Sequence, residues 1–464
     1  MIKIPAEVKK LAEIFNKNKH KLYIVGGYVR DRYLNIQSSI RDDIDLCSDV
    51  TPKELDKILG DTEFEVNNIN SSVGVMAITG KNRYEHATFR REIYEDESHN
   101  PDHVEFIKDL EEDAKRRDFK INAIYYDILE GNFVDPLGGI LDLKEKRITT
   151  VKVPKKVFND DPERILRLIR FACSLGLDIP EEEYSYAKQN SYKVQFMTKY
   201  RLKNEFEKLL NADSIYPDLL YTNDAHFRAM VLIGEFGLWK YILPSIDKIQ
   251  NSDITDHKGE RLYEHILNCL KISSPRIRLA VLLHDVGKFR TMERNNNFFG
   301  SKDFVNVLVE NNIGINGLGY SNEEIGRVIR TIIGNDFNKH CLLSKGSIKN
   351  FIFENHDIVE DVIEIKTVIK NEGRLSSKID RSAEKLRKVY KEMLSEKAPF
   401  TLKELAVNGT DVINAEPRVK LENLDDLLNE LLRRTCMSPE KNNKADLVDM
   451  IHRVINSKRD YYLD

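Results

Sequence analysis

The chain is poor in the features that would place it in several large classes. Its five cysteines, Cys47, Cys173, Cys269, Cys341 and Cys436, are scattered over 464 residues without a CxxC pair, so they read as reduced thiols, neither a disulfide framework nor a zinc cage. No apolar run approaches the roughly 20 residues needed to span a bilayer. The opening MIKIPAEVKKLAEIF is amphipathic and lacks the apolar core of a secretory signal, which makes a cytoplasmic protein the expectation. A surplus of positive charge is also missing: net charge is −4, so any grip on a nucleic acid is local. There is no low-complexity tract and no repeat of fixed period.

What is present is the balance of a folded protein, 41% hydrophobic and 32% charged, at a length that calls for two to four domains. Two stretches are locally basic: Lys146 to Lys208 has 14 Lys/Arg against 9 Asp/Glu, and Lys366 to Lys391 has 9 against 3. Either alone reads as solvated helix faces. Four zones follow from the patterning. Residues 1–140 alternate helix-like and strand-like segments: KLYIVGG is a buried strand entering a turn, DIDLC a second strand, VGVMAITG and YEHATFR a hairpin pair around Gly80 to Arg83, and INAIYYDI with GNFVDP another. Residues 141–215 are helical, with Ile165, Leu168, Ile169 and Ala172 on one face. Helical periodicity continues over 216–395, and 396–464 holds short helices.

The stretch from Tyr23 to Asp45 carries the most chemistry. A strand runs into Gly26-Gly27, where the backbone can approach a phosphate and offer it N–H groups. Arg30 follows, aimed at the same anion. Asp43 and Asp45, two apart on a strand, share one face. Same-face carboxylates repel unless a cation lies between them, and a pair of hard divalent ions both screens them and activates a hydroxyl, which is the equipment of phosphoryl transfer. Glu85, on YEHATF, is the candidate third acid. An isolated D-x-D reads as a solvent-facing strand edge; the glycine turn and Arg30 upstream favour the site.

GGYVRD followed by DDIDL resembles the signature of class II tRNA nucleotidyltransferases (CCA-adding enzymes) and bacterial poly(A) polymerases, within the polymerase-β-like superfamily. Further motifs agree in order: Arg116-Arg117-Asp118-Phe119 with Asn122-Ala123, Asp135-Pro136-Leu137-Gly138-Gly139, Asp160-Asp161-Pro162-Glu163-Arg164 with Arg167 and Arg170, and Arg201, Glu205 and Lys208, where Tyr200 replaces a family Glu. The likeness is strong over residues 20 to 290 and returns near Pro399 to Ile413. It implies an α+β chain: a polymerase-β-like nucleotidyltransferase head of mixed sheet with helices (1–140), an all-helical neck for base recognition (141–215), a body with a partial HD-type domain (216–395) and a tRNA-binding tail (396–464).

The resemblance also implies roles. Asp43, Asp45 and Glu85 are catalytic, the first two holding two Mg2+ ions. Gly26, Gly27, Arg30 and Arg117 surround the triphosphate, and Asp118 and Asn122 meet the ribose. Asp161 and Arg164 read the base without a template, from a stripe shared with Arg167 and Arg170. Asp161-Pro162 also reads as a helix cap, and Asp118 as part of a salt-bridged helix start. The expected partners are tRNA, CTP and ATP, with no membrane and no protein partner; RNA is gripped by shape and backbone.

Alternatives stay open. A poly(A) polymerase or an enzyme adding only CC or only A shares these motifs, and Ser98-His99-Asn100-Pro101 departs from the arginine-containing DxRxP form of relatives that finish with A. LYEHILNCL and LLHDVGK carry His265, His284 and Asp285, resembling an HD phosphohydrolase, but Ser301 and Asn335-Asp336 stand where relatives place further histidines, so a structural remnant is the expectation. His20, His340 and His452 read as surface residues. A non-catalytic RNA-binding protein is disfavoured by the clustered acids.

Overall fold

The computed structural model describes residues 2–36, 43–93, 103–217, 219, 222–255, 259–295, 302–335, 344–371 and 381–463. The chain divides into two compact units, Met1–Ser252 with Ile315–Gly319, and Asp253–Gly314 with Tyr320–Asp464.

In the first unit the strands are β1 (Tyr23–Val25), β2 (Asp45–Ser48), β3 (Glu65–Asn70), β4 (Val75–Thr79), β5 (Arg83–Thr88), β6 (Arg90–Ile93), β7 (His103–Phe106), β8 (Tyr125–Asp127) and β9 (Asn132–Val134). Seven of them form a sheet in the order β3-β4-β5-β2-β1-β8-β9, while β6 and β7 pair separately. All ladders of the large sheet are antiparallel except β2 with β5. This is the mixed sheet with helices expected of the head. The hairpin expected around Gly80 to Arg83 joins β4 to β5, with Thr79 opposite Arg83. The strand read in DIDLC begins only at Asp45; Asp43 and Ile44 precede it.

Burial follows side-chain period. The helix Ala6–Lys17 buries Val8, Leu11, Ala12 and Phe15, spaced three and four apart. Ile165, Leu168, Ile169 and Ala172 of the helix Glu163–Leu175 are all buried, as their spacing predicts. The helix Lys199–Leu210 starts under the Thr198 hydroxyl, which accepts the Arg201 N–H, and buries Leu202, Phe206 and Leu209. Each such aliphatic side chain contributes roughly 1.5–3 kcal/mol by leaving water. The second unit is helical among the described residues, with one apolar cluster around Ile352, Val362, Leu386 and Met393 and another around Leu427, Leu431, Leu447 and Ile451.

One turn joins the sheet to the helices. Asp135 accepts the N–H groups of Gly139 and Ile140, both at 2.8 Å. This presses Gly139 against the Lys120 carbonyl, where a Cβ would overlap backbone. Gly139→Ala is expected to lower the thermal denaturation midpoint, at a cost of roughly 1–3 kcal/mol. Gly326→Ala, in a helix with open space around the added methyl, is expected to leave the midpoint unchanged or slightly raised.

Candidate functional site

The acids come first. Val25 lies opposite Asp45 across β1 and β2, and Asp45 lies beside Glu85 across β2 and β5. The sheet therefore delivers two of the three acids at adjacent register positions, and Asp43 joins them one residue before the strand. Chain reversal at Gly26 needs φ +82, a left-handed value, and a side chain there would point its Cβ to 3.9 Å from Asp45 Oδ2. The turn and the acids are thus neighbours. Asp43, Asp45 and Glu85 keep exposed surface, yet the enclosure of the Asp45 carboxyl, reinforced by Glu85 and Asp43 and opposed by Arg117, pushes it up to about 6.

A cleft of about 680 Å³ opens on this turn. Gly26, Gly27, Arg30, Asp43, Asp45, Arg117, Asp118, Asn122, Asp161, Arg164, Arg167 and Arg170 all line it, so twelve of the thirteen sequence-predicted residues meet at one wall. Glu85 faces an adjoining hollow with Asp43, Asp45 and Arg83.

The arginines differ in what they are free to do. Arg30 is buried and donates to Asp31 at 2.8 Å, to Asn122 and to Tyr216, so its guanidinium braces the floor of the cleft. Arg170 is buried against Glu205, which Lys208 also reaches at 2.9 Å. Arg167 donates to Asp118. Burial alone would raise the Asp118 carboxyl, but the Arg167 charge and hydrogen bonds from Asn122 and the Phe119 N–H hold it down at about 2. Arg164 is half-buried and donates to the Arg116 carbonyl at 3.0 Å. Asp161 accepts the Glu163 N–H at 3.0 Å, and Arg201 binds both Asp161 oxygens at 3.0 and 2.8 Å. Asp161 is therefore at once a helix-start acceptor and a carboxylate held at the cleft edge.

Several contributors escaped sequence reasoning. Asp113, wholly buried, holds Arg116 at 2.7 Å and Arg117 at 3.3 Å and accepts the Tyr125 hydroxyl at 2.8 Å. Burial opposes its charge, but the two arginines keep it at about 2. Its spacing from Arg116 and Arg117 was the available signal. Arg90, Glu92 and Tyr216 also line the cleft; Tyr216 reaches Arg30 from far along the chain, with no local signal. His20, read as a surface residue, instead lies 2.8 Å from Asp49 with both side chains about one-fifth exposed. Ser98-His99-Asn100-Pro101, Ser301, Asp336 and His340 lie outside the described residues.

The second unit brings His265, His284 and Asp285 together. His265 Nε2 and His284 Nε2 are 3.1 Å apart, and burial pushes His284 down to about 4, leaving a neutral imidazole. Cys269 joins them, a neighbour that scattered cysteine counting did not reveal.

With this geometry in view, the comparisons are informative. The sequence profile of the poly A polymerase head domain matches residues 22–149. The CCA-adding enzyme of Lactococcus lactis subsp. cremoris is 36% identical over 246 residues, which is 52% of this chain and 57% of that one. That of Streptococcus mutans is 30% identical over 279 residues, 59% of this chain and 67% of that one. The chain belongs to the CCA-adding enzyme and poly(A) polymerase family. The match spans little more than half the length of the Lactococcus relative. A solved CCA-adding enzyme of Bacillus stearothermophilus, in complex with CTP, shares the fold with a TM-score of 0.66 at 21% identity, covering 99% of this chain and 100% of that one.

Nucleotidyltransferases of this family use divalent metal ions. The acids present fit such a cation: Asp43, Asp45 and Glu85 are all hard oxygen donors, and the Asp45 carboxyl, raised to about 6 first by burial and further by Glu85 and Asp43 against the pull of Arg117, would gain from a cation beside it. Among the described residues, no helix is long and apolar enough to cross a membrane.

The raised Asp45 carboxyl makes a stability prediction for the cation-free chain. Below about pH 4 the group is protonated folded and unfolded and has no effect. As pH rises towards about 6 the unfolded chain ionises first, and the fold loses stability; above that value the loss is complete. Asp45→Asn is therefore expected to raise the denaturant midpoint above that window and to leave it unchanged below it. Urea titrations with chelator at both extremes check this.

Proposed function

We propose that the chain is a template-independent nucleotidyltransferase that adds CMP and AMP, from CTP and ATP, to the 3′ end of tRNA, building or repairing CCA. The observation that carries the reading is that the acids Asp43 and Asp45, the Gly26–Gly27 turn and the base-reading candidates Asp161 and Arg164 line one cleft. The names of the relatives and of the structural neighbours, among them a Thermotoga maritima CCA-adding enzyme complexed with tRNA, support the same substrate class.

The acid wall would hold Mg2+, as a two-ion site on Asp43 and Asp45 with Glu85 beside them. When bound, the metal supplies charge screening at the α-phosphate and a lower pKa for the attacking hydroxyl. The protein's own groups do the rest. Gly26 and Gly27 let backbone approach the triphosphate, and Arg117, held cationic by Asp113 and Tyr125, faces its negative charge. The 3′-hydroxyl of the RNA attacks the α-phosphorus, and pyrophosphate leaves. Asn122 and Asp118 border the sugar, whose hydroxyls exchange into acceptor sites on Asp118 now taken by Asn122 and Arg167. Asp161 and Arg164 present acceptors and donors to the base edge, with Arg201 fixing the Asp161 carboxylate and Arg167 and Arg170 continuing the stripe behind them. Without a template, discrimination rests on how rigidly these two are held.

In this reading residues 1–140 form the catalytic head, 141–215 the neck that reads the base, 216–395 the body with its partial HD-type region and 396–464 the tRNA-binding tail. The protein acts in the cytoplasm, where its RNA substrate is.

The test is incubation of the purified chain with tRNA ending before CCA, after C or after CC, and labelled CTP and ATP. Products ending in CCA are expected; long A tracts, or arrest at CC, would assign one of the other family activities instead. Asp43→Ala is expected to abolish incorporation while retaining RNA binding, and surviving activity would sink the metal assignment. Arg201→Ala, which releases Asp161, is expected to raise UTP and GTP misincorporation by about tenfold or more, read by product sequencing.

A further inference from the structure

Asp43 and Asp45 border two spaces. One is the cleft with the Gly26–Gly27 turn and the arginine stripe. The other is a hollow of about 620 Å³, lined by Asn82, Arg83, Tyr84 and Glu85 together with the same two acids. Displacement at phosphorus needs the attacking and leaving oxygens roughly in line, so a nucleotidyltransferase has to admit its two substrates to one reacting centre from different sides. The cleft has the glycine turn and Arg117 to take a triphosphate. Among the described residues lining the hollow, the cation is Arg83.

Arg83 is set back from the acids at a defined distance. Strand β5 exposes Arg83 and Glu85 and buries Tyr84 and His86. Arg83 and Glu85 therefore share a face, about 6.5–7 Å apart along the strand. Glu85 in turn lies beside Asp45. Three carboxylates line the same hollow, yet the Arg83 side chain forms no ion pair and no hydrogen bond among the described residues. Its backbone, in contrast, is braced. Glu7, on the helix Ala6–Lys17, accepts the N–H groups of Lys81 at 2.5 Å and Asn82 at 3.3 Å, the Asn82 side-chain amide at 3.1 Å and the Tyr84 hydroxyl at 2.9 Å. These bonds fix the chain on both sides of Arg83. An exposed guanidinium on a fixed base, unspent on nearby acids, is available to an anion that arrives with a substrate.

We propose that the hollow receives the 3′-terminal nucleotide of the RNA and that Arg83 binds the phosphodiester on the 5′ side of that nucleotide. This deepens the transferase reading and rests on it. With the 3′-hydroxyl at the Asp45 and Glu85 end, one nucleotide of extended RNA chain reaches back along β5 to Arg83. The guanidinium fork takes two phosphate oxygens, and its charge offsets the repulsion between the RNA backbone and the three acids. A contact to backbone positions the chain without reading sequence. It therefore serves each addition step whatever base ends the RNA, while Asp161 and Arg164 select the incoming nucleotide.

The test is steady-state incorporation by the full chain on tRNA ending in CC, with ATP. Arg83→Ala is expected to raise the KM for tRNA by about tenfold or more, with kcat and the KM for ATP near parental. Arg83→Lys should recover part of the loss. Lys81→Ala, an exposed cation on the same turn, should match the parent chain, which separates a specific contact from a general loss of positive charge. An uncharged methylphosphonate in place of the last phosphodiester should weaken tRNA use by the parent chain as much as Arg83→Ala does, and should cost the Arg83→Ala variant nothing further. The same replacement one linkage back should add to the effect of Arg83→Ala. An unchanged KM for tRNA in Arg83→Ala, or a methylphosphonate effect at the last linkage that adds to it in full, would overturn the contact while leaving the transferase reading standing. A parent chain that extends no RNA would remove both.

Discussion

The first unit depends on carboxylates that hold arginines where burial would otherwise expel them. Asp113 grips Arg116 and Arg117, Asp118 grips Arg167, Glu205 grips Arg170, and Asp161 with Glu163 grips Arg201. Each guanidinium would be costly to bury alone and is tolerable in a fork of acceptors. Beyond the local Asp113 pairs, the partners come from different elements, so the same bonds that satisfy these charges tie the helices Glu163–Leu175 and Lys199–Leu210 to one another and the first of them to Asp118. The cleft is the space this framework encloses.

That framework separates two kinds of charge. On the helical side every acid among those named has an arginine, and the carboxyls of Asp113 and Asp118 stay near 2. On the sheet side burial raises the Asp45 carboxyl to about 6, with Arg117 opposing and Glu85 and Asp43 adding to the rise. The contrast is between buried carboxylates each paired with an arginine and an enclosed carboxyl flanked by two further acids. The arginine stripe is correspondingly not uniform: Arg170 is internal, Arg167 is shared with Asp118, and half-buried Arg164 donates to the Arg116 carbonyl.

The two units hold acidic or imidazole clusters of opposite character. The sheet cluster is open and made of hard oxygens. The helical one is closed, buried and includes a thiol.

Much of this was legible in the chain itself. Short-range patterns determined the strand entering Gly26-Gly27, the β4–β5 hairpin and the apolar face of the helix Glu163–Leu175, because period and turn chemistry act over a few residues; most of the residues that meet in the cleft were implied by the family resemblance of their motifs. The separate β6–β7 ladder, the start of β2 at Asp45 and the pairing of Tyr216 with Arg30 were not. Tertiary structure alone decided which charges from distant elements meet: Glu205 with Arg170, Asp118 with Arg167 and Asp161 with Arg201. A side chain's spacing says which face it occupies. Its charge state and its partner depend on what the fold brings from elsewhere, and desolvation makes that choice large only once the groups are enclosed together.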